Sequence, residues 1–473
     1  MNGMRHILLT IGALFSLLAV SCISDEFTDS PSATLAFSRD TVNFGTVFTD
    51  LTTPTSRLIV FNRNSKGVNI SSIKVADPDS PFRLNVDGVS GTVFNDVEIR
   101  GRDSIYIFLE CFIDEDDSAE PRKVSDKLQF VTNGNLQEVE VEAWGWNVTR
   151  LVGETLTKDM TMTAERPYIV FDSLIVDKGM TLNVLPGAMI LFHDKAVLQV
   201  KGTLNAEGEV GKMIQMRGDR LDDVLPDVGY DLLAGQWEGI IIHPESFNNV
   251  LSFVDMRSTS IGLRADSCGD LSRQKLTLHN SWLHNSQSTV LSADYAKVDA
   301  FGCCFSEAAD AVVSLKGGVH KFVQCTIANY YLFSSNSRPN LLLSHCLPED
   351  LEDNSQPLMK ADFENGIIWG VIGSAIYPGD LTESQVFLRD MIIKADGEDD
   401  DNFINCLWNE DPLFMTVRED YYFNYRVMED SPAIDRGNPD FITPETLIDM
   451  DGIDRLSSGN PTLGAYQYLP SSD

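Results

Sequence analysis

The sequence predicts an all-β protein in two parts, an antiparallel β-sandwich followed by a parallel solenoid. Two observations predict it. Between residues 34 and 150, short runs of alternating apolar residues are separated by Asn, Gly, Asp and Pro, the punctuation of antiparallel strands. Beyond residue 155, very short apolar strands are each closed by a turn residue with no helical periodicity between them, and the pattern comes to repeat with a period near 22 residues. At 473 residues the chain is too long for one ordinary core, and its 43 % hydrophobic content is that of a globular protein.

The chain begins with a targeting segment. Arg5 and His6 precede an apolar run from Ile7 to Val20, which closes on Ala19-Val20-Ser21-Cys22 and the acidic Ser24-Asp25-Glu26. At about 14 residues the run is shorter than the ~20 that span a bilayer, so it reads as a cleavable export signal. This segment resembles a bacterial lipoprotein signal (residues 1–21), with Ala19 standing where that family prefers Leu. The resemblance implies that Cys22 is lipidated, with palmitate among its acyl chains, and becomes the first residue of the mature protein. The alternative is an ordinary signal peptide cut near Ser21, leaving Cys22 free. Ser24-Asp25-Glu26 is similar to the export tag of surface-exposed Bacteroidota lipoproteins, which implies an outer-membrane anchor facing outward. Residues 22–33, polar and rich in Ser, Asp, Thr and Pro, read as a flexible tether.

The sandwich, residues 34–150, has seven candidate strands. They are Leu35 to Phe37, Val42 to Phe44, Leu58 to Phe61, Ile73 to Val75, Ser104 to Phe112, Leu128 to Thr132 and Val139 to Trp144. Phe44-Gly45-Thr46-Val47 followed by Val60-Phe61-Asn62 resembles immunoglobulin-like domains of the ASPM/SPD-2/Hydin type, which commonly act as spacers or docking surfaces. No catalytic cluster stands in this region. Asp114-Glu115-Asp116-Asp117 reads as a solvated turn before it reads as a calcium loop.

The solenoid, residues 151–473, opens with Leu174 to Val184, Ile190 to Phe192 and Val197 to Gly208. Parallel strands need crossovers, and without helices those crossovers are the turns of a coil. The block resembles the opening of a right-handed parallel β-helix, and Gly235-Gln-Trp237-Glu-Gly239 resembles its next coil. Ser281, Cys303 and Cys325 then follow one another at intervals of 22 residues within similar segments. Cys303 and Cys325 therefore share one column, Phe305 and Ile327 another, and Asn285 and Asn329 one corner. The two cysteines are placed either to pair across coils or to remain buried thiols.

The tail carries Asp411-Pro412-Leu-Phe414, Ser431-Pro432-Ala-Ile434-Asp435-Arg-Gly437, Asp449-Met-Asp451-Gly452-Ile-Asp454-Arg455 and Gly464-Ala465-Tyr466 in that order. These motifs resemble the closing segment of bacterial right-handed β-helix proteins of the choice-of-anchor Q type, which are secreted or surface-bound and have relatives among glycan-active proteins. Asp435, Asp451 and Arg455 are expected to form a structural polar network tying the tail to the last coil, since buried charges must be paired. A catalytic carboxylate–arginine set is the alternative. Asp449-x-Asp451-Gly452 lacks the remaining ligands of an EF-hand, and the acidic run 396–401 reads as a solvated loop.

Charge and cysteines narrow the function. Seventy acidic against 36 basic side chains give a net charge of −34, which repels phosphate backbones and excludes nucleic acid as a partner. Seven of eight cysteines remain once Cys22 is assigned to lipid, and with no C-x-x-C pair neither zinc nor a dense disulfide framework is expected. His279, His284, His320 and His345 lack metal-like spacing, so no metal or other cofactor is expected. Four Asp-Ser/Thr-apolar triplets, beginning at Asp40, Asp103, Asp117 and Asp172, resemble Bacteroidota O-glycosylation sites.

The functional expectation is an outer-membrane-anchored surface lipoprotein acting as a non-catalytic binding or assembly scaffold for glycan or outer-membrane protein partners. The alternative is a glycan-active enzyme, a polysaccharide lyase of the β-helix type. Such a lyase wants clustered cations on one coil face. Between residues 275 and 360 the cations are scattered: Lys275, Lys297, Lys316, Lys321, Arg338 and Lys360. No catalytic residue is assigned from the sequence.

Overall fold

The computed structural model describes residues 26–470 except 119, 226–227, 334–337, 347–355, 378, 380, 382 and 458. The apolar segment 7–20 and Cys22 lie outside the described residues. The protein is all-β. Its described residues include only three helical turns, all short 3-10 segments: Tyr230–Leu232, Glu419–Tyr421 and Pro439–Phe441. No helix among them is long and apolar enough to cross a membrane. Two compact units divide the chain after Asn147.

The first unit holds two sheets around one apolar core. One is antiparallel, in the order Ala36–Phe37, Ser56–Phe61, Ser104–Cys111, Phe82–Val86, Val89–Gly91. The other runs Thr41–Phe48, Asn135–Trp146, Arg122–Thr132, Val68–Val75, Val93–Phe94, with its first two strands parallel. Alternation decides what each strand buries: Phe82, Leu84 and Val86 turn inward while Arg83 and Asn85 do not. Residues 26–33 of the expected tether are held in place. The Thr28 amide donates to the Gly67 carbonyl at 2.9 Å, and Asn133 and Asn135 donate to the carbonyls of Ser30 and Pro31. The ring of Phe27 lies where a Cβ on Gly67 would meet it at 2.8 Å, so only glycine permits that contact.

The second unit is dominated by one continuous sheet of 25 strands, from Thr149–Leu156 to Leu407–Trp408, whose strands pair in parallel with strands one repeat further along. Leu182 lies beside Leu204 and Phe305 beside Ile327, each 22 residues ahead. The repeat length is therefore the length of one coil. Because the register repeats, inward side chains stack in ladders. Phe322 stacks on its register partner Phe363 with centroids 5.1 Å apart, Phe305 packs against Phe322 from a different ladder at 5.9 Å, and Phe192 stacks on Trp237 at 3.9 Å. Each such fully buried ring contributes roughly 1.5–3 kcal/mol of burial free energy. Cys303 and Cys325 stand in this core as free thiols.

The outward side chains of the later coils are covered too. Cys304, Ala328, Ile367, Trp369 and Ile392 join Phe414, Tyr425, Val427, Ala433, Leu463, Ala465 and Tyr466 in a second core, so the tail lies across this face. The tail hairpin pairs Phe414–Val417 with Phe423–Val427. Met213 and Trp282, from earlier coils, pack against the same core.

Candidate functional site

At the edge of that cover, alternation and register gather charged groups. Asp255 and Arg257 point outward from Val254–Ala265, and Trp282 and His284 from Trp282–Ser286. Asp255 is registered with Trp282 and Arg257 with His284, while Trp282 and His284 face Cys304 and Ser306 on the next strand. Arg217 extends the same face one coil earlier, two residues after Gln215, the register partner of Asp255. Neighbouring parallel strands lie ~4.8 Å apart. Two guanidiniums in one column would repel each other, and two carboxylates separate them. Arg257 Nη1 lies 2.8 Å from Asp255, and Arg217 and Arg257 lie 3.4 and 3.5 Å from Asp231.

Asp231 arrives on the long excursion between Ile214–Gly218 and Trp237–Ile242. Its carbonyl accepts hydrogen bonds from Ser258 Oγ at 2.7 Å and Asn285 Nδ2 at 2.8 Å. The corner Asn expected to satisfy turn backbone does so for Asn285 and Asn329, the latter bonding the Ala308 carbonyl at 2.9 Å.

The same corner column holds Glu307, midway between the two asparagines, with φ of 50°. Its Oε1 accepts a short hydrogen bond from the Tyr425 hydroxyl, while its buried Oε2 has no partner. Burial pushes this carboxyl up to about 7, against the opposing pull of Ser306, Tyr425 and Arg418. His284 Nε2 lies 3.1 Å from Asp255 Oδ1, and the imidazole stacks on Trp282 at 4.1 Å. Burial lowers the His284 pKa, so the ring is neutral at pH 7 and donates through Nε2. Burial alone would raise Asp255, but the His284 hydrogen bond and the Arg257 charge outweigh it and hold it ionised.

These groups floor a cavity of about 210 Å³ walled by Tyr331 and Phe333 on one side and by Tyr421, Tyr422 and Phe423 on the other. Arg418 holds the Tyr330–Tyr331 backbone behind the wall, donating from Nε to the Tyr330 carbonyl at 2.7 Å and from Nη2 to the Tyr331 carbonyl at 3.0 Å. Phe333, Tyr421 and Tyr422 remain 52, 47 and 60 % exposed, a large aromatic surface left to water. Among the residues that line the cavity, Arg257 is matched by Asp231, His284 is neutral and Glu307 is largely protonated below pH 7, so the lining is close to neutral. A second cavity, about 330 Å³, opens across the excursion beside His193, Asp219, Arg220 and Tyr230. No group of three or more metal-ligating side chains stands together among the described residues.

The scattered cations between 275 and 360 concealed this cluster because its cations, Arg217, Arg257 and Arg418, lie outside that window. His284, Glu307 and the aromatic walls were equally unassigned. One signal did exist in the sequence: a glutamate stands where the corner column otherwise carries asparagine.

The tail residues occupy three places rather than one network. Arg455 is fully buried and donates to the carbonyls of Gly464 at 3.2 Å and Ala465 at 2.6 Å. Burial lowers its pKa to about 10, with Asp449 as the opposing carboxylate. Asp449 itself accepts from the amides of Asp451, Ile453 and Gln467 at 2.8–2.9 Å. Gln324 links this knot to the coils, its amide nitrogen donating to the carbonyls of Thr462 and Gly464 at 2.9 and 2.8 Å. Asp451 instead pairs with Arg426, which lies over the Tyr466 ring. Asp435 holds a left-handed turn and accepts from Asn460 through its carbonyl at 3.4 Å. The carboxylate whose charge acts on Arg455 is thus Asp449, without a direct ion pair, while Asp451 lies nearer the surface, where Arg426 reaches it. The acidic loop is structural: Asp399 accepts from the amides of Asn405 and Cys406.

No protein-family model and no curated protein matches the chain. Among solved structures, the chain is similar to a protein of unknown function from Porphyromonas gingivalis W83, with 12 % identity over 26 % of this chain and 50 % of that one and a TM-score of 0.18. The alignment spans half of that protein's length. PapD-like domain 7 of human CEP192 gives 12 % identity over 27 % of this chain and 96 % of that domain, with a TM-score of 0.18. A family 123 glycoside hydrolase from Clostridium perfringens gives 9 % identity over 24 and 25 % of the two chains, with a TM-score of 0.17.

Proposed function

We propose that this protein is a surface lipoprotein, anchored in the outer membrane through Cys22, that presents a glycan-binding pocket on a right-handed parallel β-helix carried behind an immunoglobulin-like sandwich. The observation that carries the reading is the cavity between Tyr331 and Phe333 and Tyr421 and Tyr422. Exposed aromatic rings around a floor of fixed polar groups suit the apolar faces and hydroxyl edges of a sugar. The near-neutral floor favours an uncharged sugar unit. Stacked parallel coils suit the display role, because they offer long, flat faces to an extended partner.

A lyase acting on an acidic polysaccharide is supported less well. It needs a cation free to neutralise a substrate carboxylate, and Arg217 and Arg257 are each paired with a carboxylate of the protein.

The test is calorimetric titration of the mature chain with cellohexaose, xylohexaose, mannohexaose, chitohexaose and the acidic hexagalacturonate. Binding of a neutral hexasaccharide, weakened about tenfold or more by Tyr422→Ala, is expected. Binding of none of them, or of the acidic one alone, refutes the reading. Mass spectrometry of the membrane-extracted protein tests the anchor, with acylated Cys22 as the expected N-terminus.

A further inference from the structure

We infer that the pocket also cleaves: Glu307 protonates a glycosidic oxygen, and His284, held by Asp255, activates the water that replaces it. This rests on the pocket being a glycan site and goes beyond binding, in departure from the expected non-catalytic scaffold.

Position supports it first. His284 and Glu307 sit on adjacent strands, Glu307 being the residue after Ser306, the register partner of His284, and both line one cavity of about 210 Å³. Glu307 is also unexpected there on structural grounds. The column is served by Asn285 and Asn329, whose amides satisfy backbone groups, whereas Glu307 leaves Oε2 without a partner in a buried site. An unsatisfied buried oxygen costs about 1–3 kcal/mol, so an Oε2 left over beside the Tyr425 hydrogen bond calls for another role. Tyr425 occupies Oε1, which leaves the Oε2–H as the donor without a partner in the protein, on a residue that lines the cavity.

The second group is oriented in the complementary way. Asp255 takes the Nε2 proton of His284, fixing the tautomer whose Nδ1 lone pair is free to accept a proton. Two titrating groups are held in opposite states, a carboxylic acid that keeps its proton and an imidazole that lacks one, which is the arrangement acid–base catalysis needs.

The step balances with water as the second substrate. The Oε2 proton of Glu307 passes to the glycosidic oxygen as its bond to the anomeric carbon breaks. The water oxygen bonds to that carbon while its proton goes to Nδ1 of His284. The imidazolium, stabilised by Asp255, then loses its proton to solvent and the Glu307 carboxylate regains one.

The charged and titratable groups facing Glu307 are Tyr425 and Arg418 from the tail hairpin, Cys304 from its own strand, Tyr330 from the following segment, and His284 with Asp255 and Arg257 from the preceding coils. Of these, His284 has its pKa lowered by burial, so its ring stays neutral as Glu307 titrates. Rate is therefore expected to fall as pH rises through about 7, where Glu307 loses its proton, and to fall again in acid once His284 gains one.

The experiment incubates the mature chain with the same hexasaccharides in isotopically labelled water and follows products by mass spectrometry, with binding measured in parallel. Cleavage that incorporates one labelled oxygen is expected for a hexasaccharide that binds. Glu307→Gln should lower the rate 100-fold or more with affinity within about threefold of wild type. His284→Asn serves as an independent second variant with the same expected pattern, and decides the matter should Glu307→Gln not fold. Binding without cleavage, or cleavage unaffected by both variants, overturns the catalytic inference and leaves the binding reading intact. Cleavage giving an unsaturated sugar without label also overturns it, in favour of elimination. Absence of any binding removes both.

Discussion

Replacing Glu307 with glutamine should stabilise the protein, and increasingly so as pH rises. The carboxyl titrates near 4.5 when unfolded and at about 7 in the folded state, where burial disfavours its charge. Below pH 4.5 both states carry the proton and the site costs nothing. As pH rises, the unfolded chain releases its proton first, so stability falls until the folded form ionises too, near pH 7. At 1.36 kcal/mol per pKa unit, the cost is roughly 1 kcal/mol at pH 5 and about 3 kcal/mol at pH 8. Glutamine keeps an oxygen for Tyr425 but has no charge to desolvate. Glu307→Gln should therefore gain about 2 kcal/mol relative to wild type between pH 5 and pH 8. Urea titrations followed by tryptophan fluorescence at both pH values measure this gain directly. If the difference between the two proteins is the same at pH 5 and pH 8, Glu307 is not the buried acid described here, and its proposed chemistry loses its basis.

Three further outcomes follow from the packing. Trp237→Ala empties the stack on Phe192 and removes the indole's hydrogen bond to the Arg257 carbonyl at 2.8 Å, so a loss of about 3–5 kcal/mol is expected in the same urea assay; a loss under 1 kcal/mol would contradict the buried stack. Arg455→Met leaves the carbonyl of Ala465 without its donor, that of Gly464 with Gln324 alone, and Asp449 without its counter-charge, which should cost roughly 3 kcal/mol and expose the tail to limited proteolysis ahead of the coils. Cys303 and Cys325 should resist alkylation in the native protein and both take up label after unfolding without reductant; failure to label the unfolded, unreduced chain would mean that they are joined.

The second unit was the more legible half, for a geometric reason. In a stack of parallel coils the sequence repeat and the hydrogen-bond register are one quantity, so Cys303 to Cys325 at 22 residues already states that Phe305 lies beside Ile327. Inward ladders follow from alternation alone. The corner asparagines were legible because a turn's backbone groups need a partner wherever the turn recurs. The tail network was read only in part. Its motifs mark a closing segment, but whether Arg455 meets Asp449 or Asp451 depends on two residues' difference in depth, which spacing does not encode.

Composition and period by themselves determined that this chain is all-β, that its two halves differ in kind, and which residues of the repeat face inward. Those are local or periodic properties, set by side-chain alternation and turn chemistry. The pocket was decided only by the tertiary structure. Arg217, Asp231, Arg257, His284, Glu307, Tyr331 and Tyr422 come from five different coils and excursions and from the tail, and no period joins them. A protonated carboxyl beside a neutral imidazole exists there because coil stacking and the tail's cover remove water from both, and desolvation belongs to the assembled fold rather than to any residue in the chain.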